Sequence, residues 1–567
     1  MILLNPKKTT FEHLDPSSRE IMKKTIGFFE KKGKASLKED DHERTWYRDF
    51  LDFVKENKIF ATLLTPSKYG SDGDYRWDTY RNCDFNEILG FYGLYYWYTW
   101  QVTILGLGPL WMSKNEKIKQ KTAQLLNEGG IFGYGLSEKE HGADIRSNSM
   151  TLTKKEDGTY VANGRKYYIG NGNEAAILST QGKLAENGQF VFFAASSKHK
   201  SYTCVKNVVN RQAYVAEYIL DNYPITEDDI LSIGRDAWDS ALNTVNLGKW
   251  NLGWASIGMC THSFYEAINH ASTRRIFARY VTDFPHVRQL FVDAYSRLAA
   301  MKLFSSRASD YMRAASKDDR RYLLYDPTVK MFVTLEGEKV INHLWDVIAA
   351  KGFEKDMYFE GTARDIRALP KLEGTVHVNM ILIIRFIQNF LFNPKEYPEL
   401  SRQTQKTDDD FLFNQGSSQK GLNQIQFHDY NKAYNSFNLP NINVFKEQIE
   451  LLKQFFKEAT PSEEQNNDLD YMLTIGFMFT LIVYGQLILE MCKMDSIDKD
   501  LIDQIFHLMV RDFSLYAAEL HNKESNSAKQ SELCIKMIKK PVKNEDRFNN
   551  VWEKHVYSLK EVYEMNP

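Results

Sequence analysis

At 567 residues the chain is long enough for about three to five structural units of ordinary size. Its 43% hydrophobic, 13% aromatic and 26% charged residues form a globular composition, which excludes disorder, collagen and low complexity as overall descriptions. A net charge of -2, from 72 basic and 74 acidic side chains, excludes a broad nucleic-acid footprint.

Five scattered cysteines (Cys83, Cys204, Cys260, Cys492, Cys534) form no C-x-x-C pair. This argues against a disulfide framework or a cysteine-rich zinc site, and for a reducing, cytoplasmic compartment. The apolar run Met1-Ile-Leu-Leu is too short for a signal peptide. Glu564-Met-Asn-Pro567 matches no lipidation or peroxisomal signal.

Residues 1–130 read as a helical domain. Arg19 to Glu30 and Trp46 to Val54 repeat apolar residues every three or four positions, and Leu89 to Trp111 is apolar almost all round, as in a helix inside a bundle. Residues 131–245 turn to short β-rich runs. Glu156-Asp-Gly-Thr159 and Asn163-Gly164 read as hairpin punctuation, and Gln189 to Ala194 is a further apolar strand. Helical periodicity returns near Val245 and fills 246–400. Residues 401–424, with Asp408-Asp-Asp410 and Gly416-Ser-Ser418, read as a polar linker, and 425–567 as a last helical region. Tyr471 to Leu489 carries no charge and is long enough to span a bilayer. Polar dilution by Thr474, Thr480 and Gln486 and the absence of flanking positive charge favour a buried bundle helix.

No G-x-S-x-G, H-E-x-x-H, phosphate loop or dinucleotide fingerprint is present, and the thirteen histidines show no ligand spacing, so no metal site is expected. Four segments carry the positive signal. They are Tyr134-Gly-Leu-Ser-Glu-Lys-Glu-His-Gly-Ala-Asp144, Asn163-Gly-Arg-Lys-Tyr-Tyr-Ile-Gly-Asn-Gly172, His270-Ala-Ser-Thr-Arg-Arg-Ile-Phe277, and Arg364-Asp to Glu373-Gly-Thr375. In this order and spacing, over roughly residues 10 to 395, the chain resembles the acyl-CoA dehydrogenase family. That resemblance implies a mainly α fold with a central β-barrel: a helical domain, the barrel and a four-helix bundle, here with an extra C-terminal helical domain. It also implies FAD bound without a Rossmann domain.

By the same resemblance Glu373 is the catalytic base, removing the α-proton of an acyl-CoA thioester while the β-hydrogen leaves as hydride to flavin N5. Its backbone N–H would help polarise the thioester carbonyl. Cofactor contacts fall to Tyr134, Leu136, Ser137, Tyr168, Ile169, Gly170, Arg274, Phe277, Ala350, Thr375 and His377. Arg274 would reach the pyrophosphate across a subunit interface. Substrate contacts fall to Ala143, Asn246, Lys249 and Gly374. Some relatives carry the base on an earlier helix, at a place that falls near Gly248, where Asn246 to Lys249 offer no carboxylate.

Departures from the family pattern are Gly170 in place of a threonine near flavin N5, Ala143 in place of a serine, Asp346 in place of a glutamine, and Ala349-Ala-Lys-Gly352 in place of G-G-x-G. The Glu138-to-Asp144 variant and the extension look like long-chain branches. These imply a homodimer acting on a medium- or long-chain acyl-CoA, with electron-transferring flavoprotein as acceptor and a peripheral membrane contact through the extension. An oxygen-using oxidase, a relative acting on carrier-protein-bound acyl chains, and a nucleic-acid-associated relative with a vestigial site are the competing readings.

Overall fold

The computed structural model describes residues 2–417 and 420–567; Met1, Ser418 and Gln419, the last two from the polar segment, lie outside the described residues. The chain divides into two compact units. One comprises Thr10–Asn251, Thr404–Lys420 and Met565–Pro567; the other comprises Met1–Thr9, Leu252–Gln403 and Gly421–Glu564.

The first unit opens with α1 (Pro16–Lys32), α2 (Lys34–Glu43), α3 (Arg48–Glu56), α4 (Ile59–Leu64), α5 (Thr79–Tyr92), α6 (Leu94–Met112) and α7 (Glu116–Asn127). α1 starts where Asp15 accepts a hydrogen bond from Ser18 N and a proline occupies the first turn. Its buried face is Ile21, Met22, Thr25, Ile26 and Phe29. α6 is buried on nearly every side. Several of the polar groups this encloses are satisfied internally, though Tyr96 Oη and Trp111 Nε1 are buried without a hydrogen-bond partner among the described residues. Trp97 and Trp100 donate their indole N–H to Asn86 Oδ1 at 2.7 and 3.1 Å, Asn86 Nδ2 donates to Asn251 Oδ1 at 2.8 Å, and Asn251 Nδ2 donates to Gln101 Oε1 at 2.8 Å.

Eight strands follow: β1 (Phe132–Gly135), β2 (Thr151–Lys154), β3 (Tyr160–Gly170), β4 (Ile177–Leu184), β5 (Phe190–Ala195), β6 (Tyr202–Asn207), β7 (Val215–Ile225) and β8 (Ile230–Ile233). They form one sheet in the order β6-β7-β3-β2-β4-β5-β8, with β1 parallel beside β4. β6 and β8 end this path and do not pair with each other among the described residues, so the expected closed barrel is not formed. Met150, Leu152, Ala162, Ile169, Leu178 and Phe193 belong to the core on this sheet.

Asp157-Gly158 makes the expected hairpin between β2 and β3, with Gly158 at φ +85°. Asn163-Gly164 does not turn the chain. It lies inside β3, where the β3–β7 register shifts between Ala162 and Gly164. A Cβ on Gly164 would come within 2.9 Å of Met150 Sδ, so close packing explains this glycine.

The polar segment read as a linker is tied down at several points. Asp408 accepts from Ser67 N and Trp77 N at 2.8 and 2.6 Å, Asp409 accepts from Thr79 N at 2.6 Å, and Leu412 is buried.

α8 (Arg235–Thr273) contributes residues to both units and begins before Val245, where periodicity first marks it. In the second unit, the hairpin β9 (Arg275–Ile276) and β10 (Arg279–Tyr280) leads to α9 (Pro285–Arg313). α10 (Tyr322–Thr328) and α11 (Thr334–Ile348) are joined by one π-helical turn, Val329–Val333. α12 (Tyr358–Asp365), α13 (Val376–Ile383) and α14 (Ile387–Leu391) complete this part.

The extension contains α15 (Asn431–Tyr434), α16 (Pro440–Glu458), α17 (Glu463–Asn467), α18 (Leu469–Asp495), α19 (Lys499–His521), α20 (Ala528–Met537) and α21 (Glu545–Val551). α18 holds the uncharged stretch, and its Tyr471, Ile475, Phe479, Ile482 and Ile488 are enclosed by protein. By length and composition this helix could cross a membrane, and it packs on α9 and α19. A buried ion cluster ties the extension to the bundle helices, with Arg297 donating to Glu336 at 2.6 Å and to Asp512 at 2.7 Å.

Candidate active site

Glu373 sits in the second unit, between the 3₁₀ segment Ile366–Lys371 and α13. It is half-buried, its Oε2 is enclosed, and its backbone lies in the left-handed region at φ +52°. Gly374 follows at φ +88°. Two consecutive left-handed residues, one of them a glutamate, are a strained arrangement costing on the order of 1–3 kcal/mol. Thr375 then caps α13, its hydroxyl accepting from Val378 N. His377 is exposed on the first turn of that helix.

The loop is held from outside. Lys330, on the π-helical turn and 0% exposed, donates from Nζ to Pro370 O at 2.8 Å and to Gly374 O. Asn379 Nδ2 donates to Gly374 O at 3.2 Å and to Thr375 O at 2.9 Å. In the same unit, Arg274 and Phe277 lie on the exposed β9–β10 hairpin. Phe277 is 89% exposed at φ +47°.

The first unit brings two of the four motif segments together. Ser137 Oγ donates to Tyr167 O at 2.7 Å, and Tyr167 N donates to Ser137 O at 3.1 Å. Lys166, 0% exposed, donates to Leu136 O and to Glu138 Oε1, both at 3.0 Å. Glu138 also accepts from Ser149 N and Oγ at 2.7 Å and from Met150 N at 3.0 Å.

Burial pushes the Lys166 ammonium down to about 8, against the opposing pull of Glu138. Burial also pushes the Glu138 carboxyl up, but Lys166 and the Ser149 donors outweigh it and leave it below its usual range. On this frame Tyr168 stands at φ +64°, 59% exposed, at a register shift between β3 and β7. Ile169 is buried beneath it. Tyr134 is buried in β1, with its hydroxyl donating to Ala241 O at 3.0 Å.

The family description "Acyl-CoA dehydrogenase, C-terminal domain" matches residues 236–388. The short-chain specific acyl-CoA dehydrogenase of Megasphaera elsdenii is 22% identical over 379 residues, covering 65% of this chain and 97% of that protein. Subunit CarC of the caffeyl-CoA reductase–Etf complex of Acetobacterium woodii is 22% identical over 61% of this chain and 91% of its own length. Residues 236–388 thus carry the C-terminal domain of the acyl-CoA dehydrogenase family, and the chain is similar to acyl-CoA dehydrogenases beyond it. An acyl-CoA dehydrogenase from Bacillus anthracis, solved with FAD, shares the fold over 98% of this chain and 97% of its own, extension included, at a TM-score of 0.72 and 16% identity.

Against the acyl-CoA dehydrogenase pattern, one departure has a local physical cause. At Gly170, a Cβ would lie 2.6 Å from Val102 Cγ2 and 2.8 Å from Tyr98 Cε1, so α6 fills the space a threonine would need. At Gly248, the carbonyl accepts from Gln101 Nε2 at 3.1 Å. Asn246 and Lys249 are both buried. Asn246 Nδ2 donates to Gln415 Oε1 at 3.4 Å, so Gln415 sits against this candidate substrate residue. Ala143 and Ala350 are exposed, as is Asp346.

Lys330, Asn379, Gln415 and Tyr98 lie outside the four motif segments, and Lys166, though inside the second, was given no role there. The available signal was a lone lysine inside Val329-Lys-Met-Phe-Val333, where a core helix would carry an apolar residue.

Proposed function

We propose that the chain is an FAD-dependent acyl-CoA dehydrogenase with Glu373 as its base. The observation that carries this reading is the placement of Glu373, an acidic residue in a left-handed conformation on a loop clamped by Lys330 and closed by the Thr375 cap. Strain of this kind persists where surrounding structure over-determines it, as at active sites.

The residues present suit a flavin. Tyr168 offers an exposed aromatic face on a rigid β frame, Leu136 and Ser137 are locked beside it by Lys166 and Tyr167, and Arg274 is free to meet a pyrophosphate from its hairpin. Bound FAD supplies the acceptor for the β-hydrogen and its electron pair. Glu373 takes the α-proton, and the C2–C3 bond of the thioester becomes a double bond. Its backbone N–H would donate to the developing enolate oxygen.

Within this reading the acyl chain is medium or long. Support comes from length: the short-chain M. elsdenii relative is matched over 97% of itself but over only 65% of this chain. Electrons pass to an electron-transferring flavoprotein, as the name of the A. woodii complex suggests for its own subunit. The apolar hairpin of Ile276, Phe277 and Tyr280 suits a homodimer in which Arg274 serves the neighbouring subunit. Ile535, Ile538 and Val542, exposed among Lys536, Lys539, Lys540 and Lys543, suit a peripheral membrane contact. A cytoplasmic location goes with this assignment.

Anaerobic addition of a panel from butyryl- to palmitoyl-CoA should bleach the flavin fastest in the upper half of the panel. Glu373→Gln should retain FAD and lose turnover by roughly a hundred- to ten-thousand-fold. A Glu373→Gln protein with wild-type turnover would remove Glu373 from the chemistry.

A further inference from the structure

Resting on the assignment of Glu373 as the base, we propose that Lys330 is its positioning residue: a buried ammonium that grips the loop on both sides of Glu373 and so presents the carboxylate and its N–H in one orientation. Lys330 is on the π-helical turn between α10 and α11, and π turns recur where a helix must place one side chain out of its regular row. Its two carbonyl partners, Pro370 O and Gly374 O, bracket residues 371–373.

The bracket is needed because the loop cannot hold itself. Glu373 and Gly374 both lie in the left-handed region, so neither continues the 3₁₀ segment before them or α13 after them. An outside donor fixes the carbonyl of residue 374, and Asn379 reinforces the same atom at 3.2 Å. Bonds from a charged donor are shorter and stronger than neutral ones. Filling this space alone would favour an apolar side chain, since burying an ammonium is costly. Two of the contacts of this buried lysine are to carbonyls of the Glu373 loop, which an apolar side chain could not orient. A general base must lie within about 3 Å of the proton it takes, and a displacement of about 1 Å costs on the order of a hundredfold in rate.

The test uses the FAD-loaded full chain and whichever acyl-CoA of the butyryl-to-palmitoyl panel bleaches it fastest, with and without deuterium at C2. In Lys330→Met, FAD content and KM should stay within about twofold of wild type. Meanwhile kcat should fall on the order of a hundredfold, and the C2-deuterium isotope effect on kcat should rise, because proton removal becomes the slow step. Asn379→Ala, which removes a neutral donor from the same carbonyl, should lower kcat several-fold with KM unchanged. If Lys330→Met does not fold, Asn379→Ala decides.

Wild-type kcat and isotope effect in the folded Lys330→Met protein would overturn the proposal, as would a loss confined to KM or to FAD content. An unchanged Asn379→Ala, where that variant decides, would do the same. The two levels separate cleanly. An active Glu373→Gln sinks the base assignment. An inactive Glu373→Gln beside a fully active Lys330→Met sinks only the role of Lys330.

Discussion

Replacing Glu138 by glutamine tests whether the buried Glu138–Lys166 pair holds the loop of Leu136 and Ser137, the proposed flavin contacts. Both Glu138 oxygens act as acceptors. Oε2 takes Ser149 N and Oγ at 2.7 Å, and Oε1 takes Met150 N and Lys166 Nζ at 3.0 Å. A glutamine keeps one acceptor and turns the other atom into a donor that faces donors. It also leaves Lys166, 0% exposed, with the Leu136 carbonyl but no counter-charge. Removing one member of a buried pair costs about 3–5 kcal/mol. Against a total stability of about 5–15 kcal/mol this is a large fraction. At about 2–4 °C per kcal/mol for a unit of this size, the melting temperature should drop by roughly 6–20 °C.

Thermal unfolding followed by circular dichroism gives the number, and flavin absorbance after gel filtration should show weaker FAD retention. In Glu138→Gln/Lys166→Met, with no buried charge left, more than half of the loss should return. The pH dependence has a definite sign. The folded Lys166 ammonium, at about 8, lies below its ordinary 10.5. Between those values the unfolded chain binds the extra proton, so this group makes wild-type stability rise with pH there, and Lys166→Met should lack that rise. A Glu138→Gln melting temperature within about 2 °C of wild type, or a double variant no better than the single, would refute the reasoning.

Gly170→Thr should destabilise the first unit by about 1–3 kcal/mol in urea titration, because its Cβ meets Val102 and Tyr98, and Val102→Ala in the same chain, which removes the nearest atom, should recover part of that. Glu490, on α18, is pushed up by burial but held down at about 2 by His428 and Arg307. Its folded value lies below the ordinary 4.5, so its contribution is complete above 4.5 and is lost as pH falls toward 2. Acid unfolding followed by circular dichroism should be visibly flatter over that window in Glu490→Gln, by on the order of 3 kcal/mol.

What sequence made legible was whatever a local pattern encodes. The amphipathic repeat of Arg19 to Glu30 became α1, Gln189 to Ala194 became β5 shifted by one residue, and Asp157-Gly158 became a hairpin, because each depends on neighbours a few positions away. Asn163-Gly164 misled, because its glycine answers to Met150 across the sheet and not to a turn. Barrel closure misled in a similar way, since pairing between the first and last strands of a path leaves no mark on either strand. Residues 401–424 read as a linker by composition. Their aspartates are partners for backbone N–H groups of Ser67, Trp77 and Thr79, far away in sequence.

The site divides along the same line. Glu373, Tyr168 and Arg274 stand in contiguous motifs, and so do Glu138 and Lys166, whereas Lys330 and Asn379 do not. Lys330 precedes Glu373 by more than forty positions and is joined to its loop through carbonyl oxygens, which any residue type can supply. A motif records the groups that meet substrate and cofactor. The groups that aim them are constrained only by geometry, so they appear in sequence as single misplaced polar residues, such as a lysine in an apolar run. That makes a buried charge on an irregular helical turn the feature to look for first when a family's reactive residue is known and its support is not.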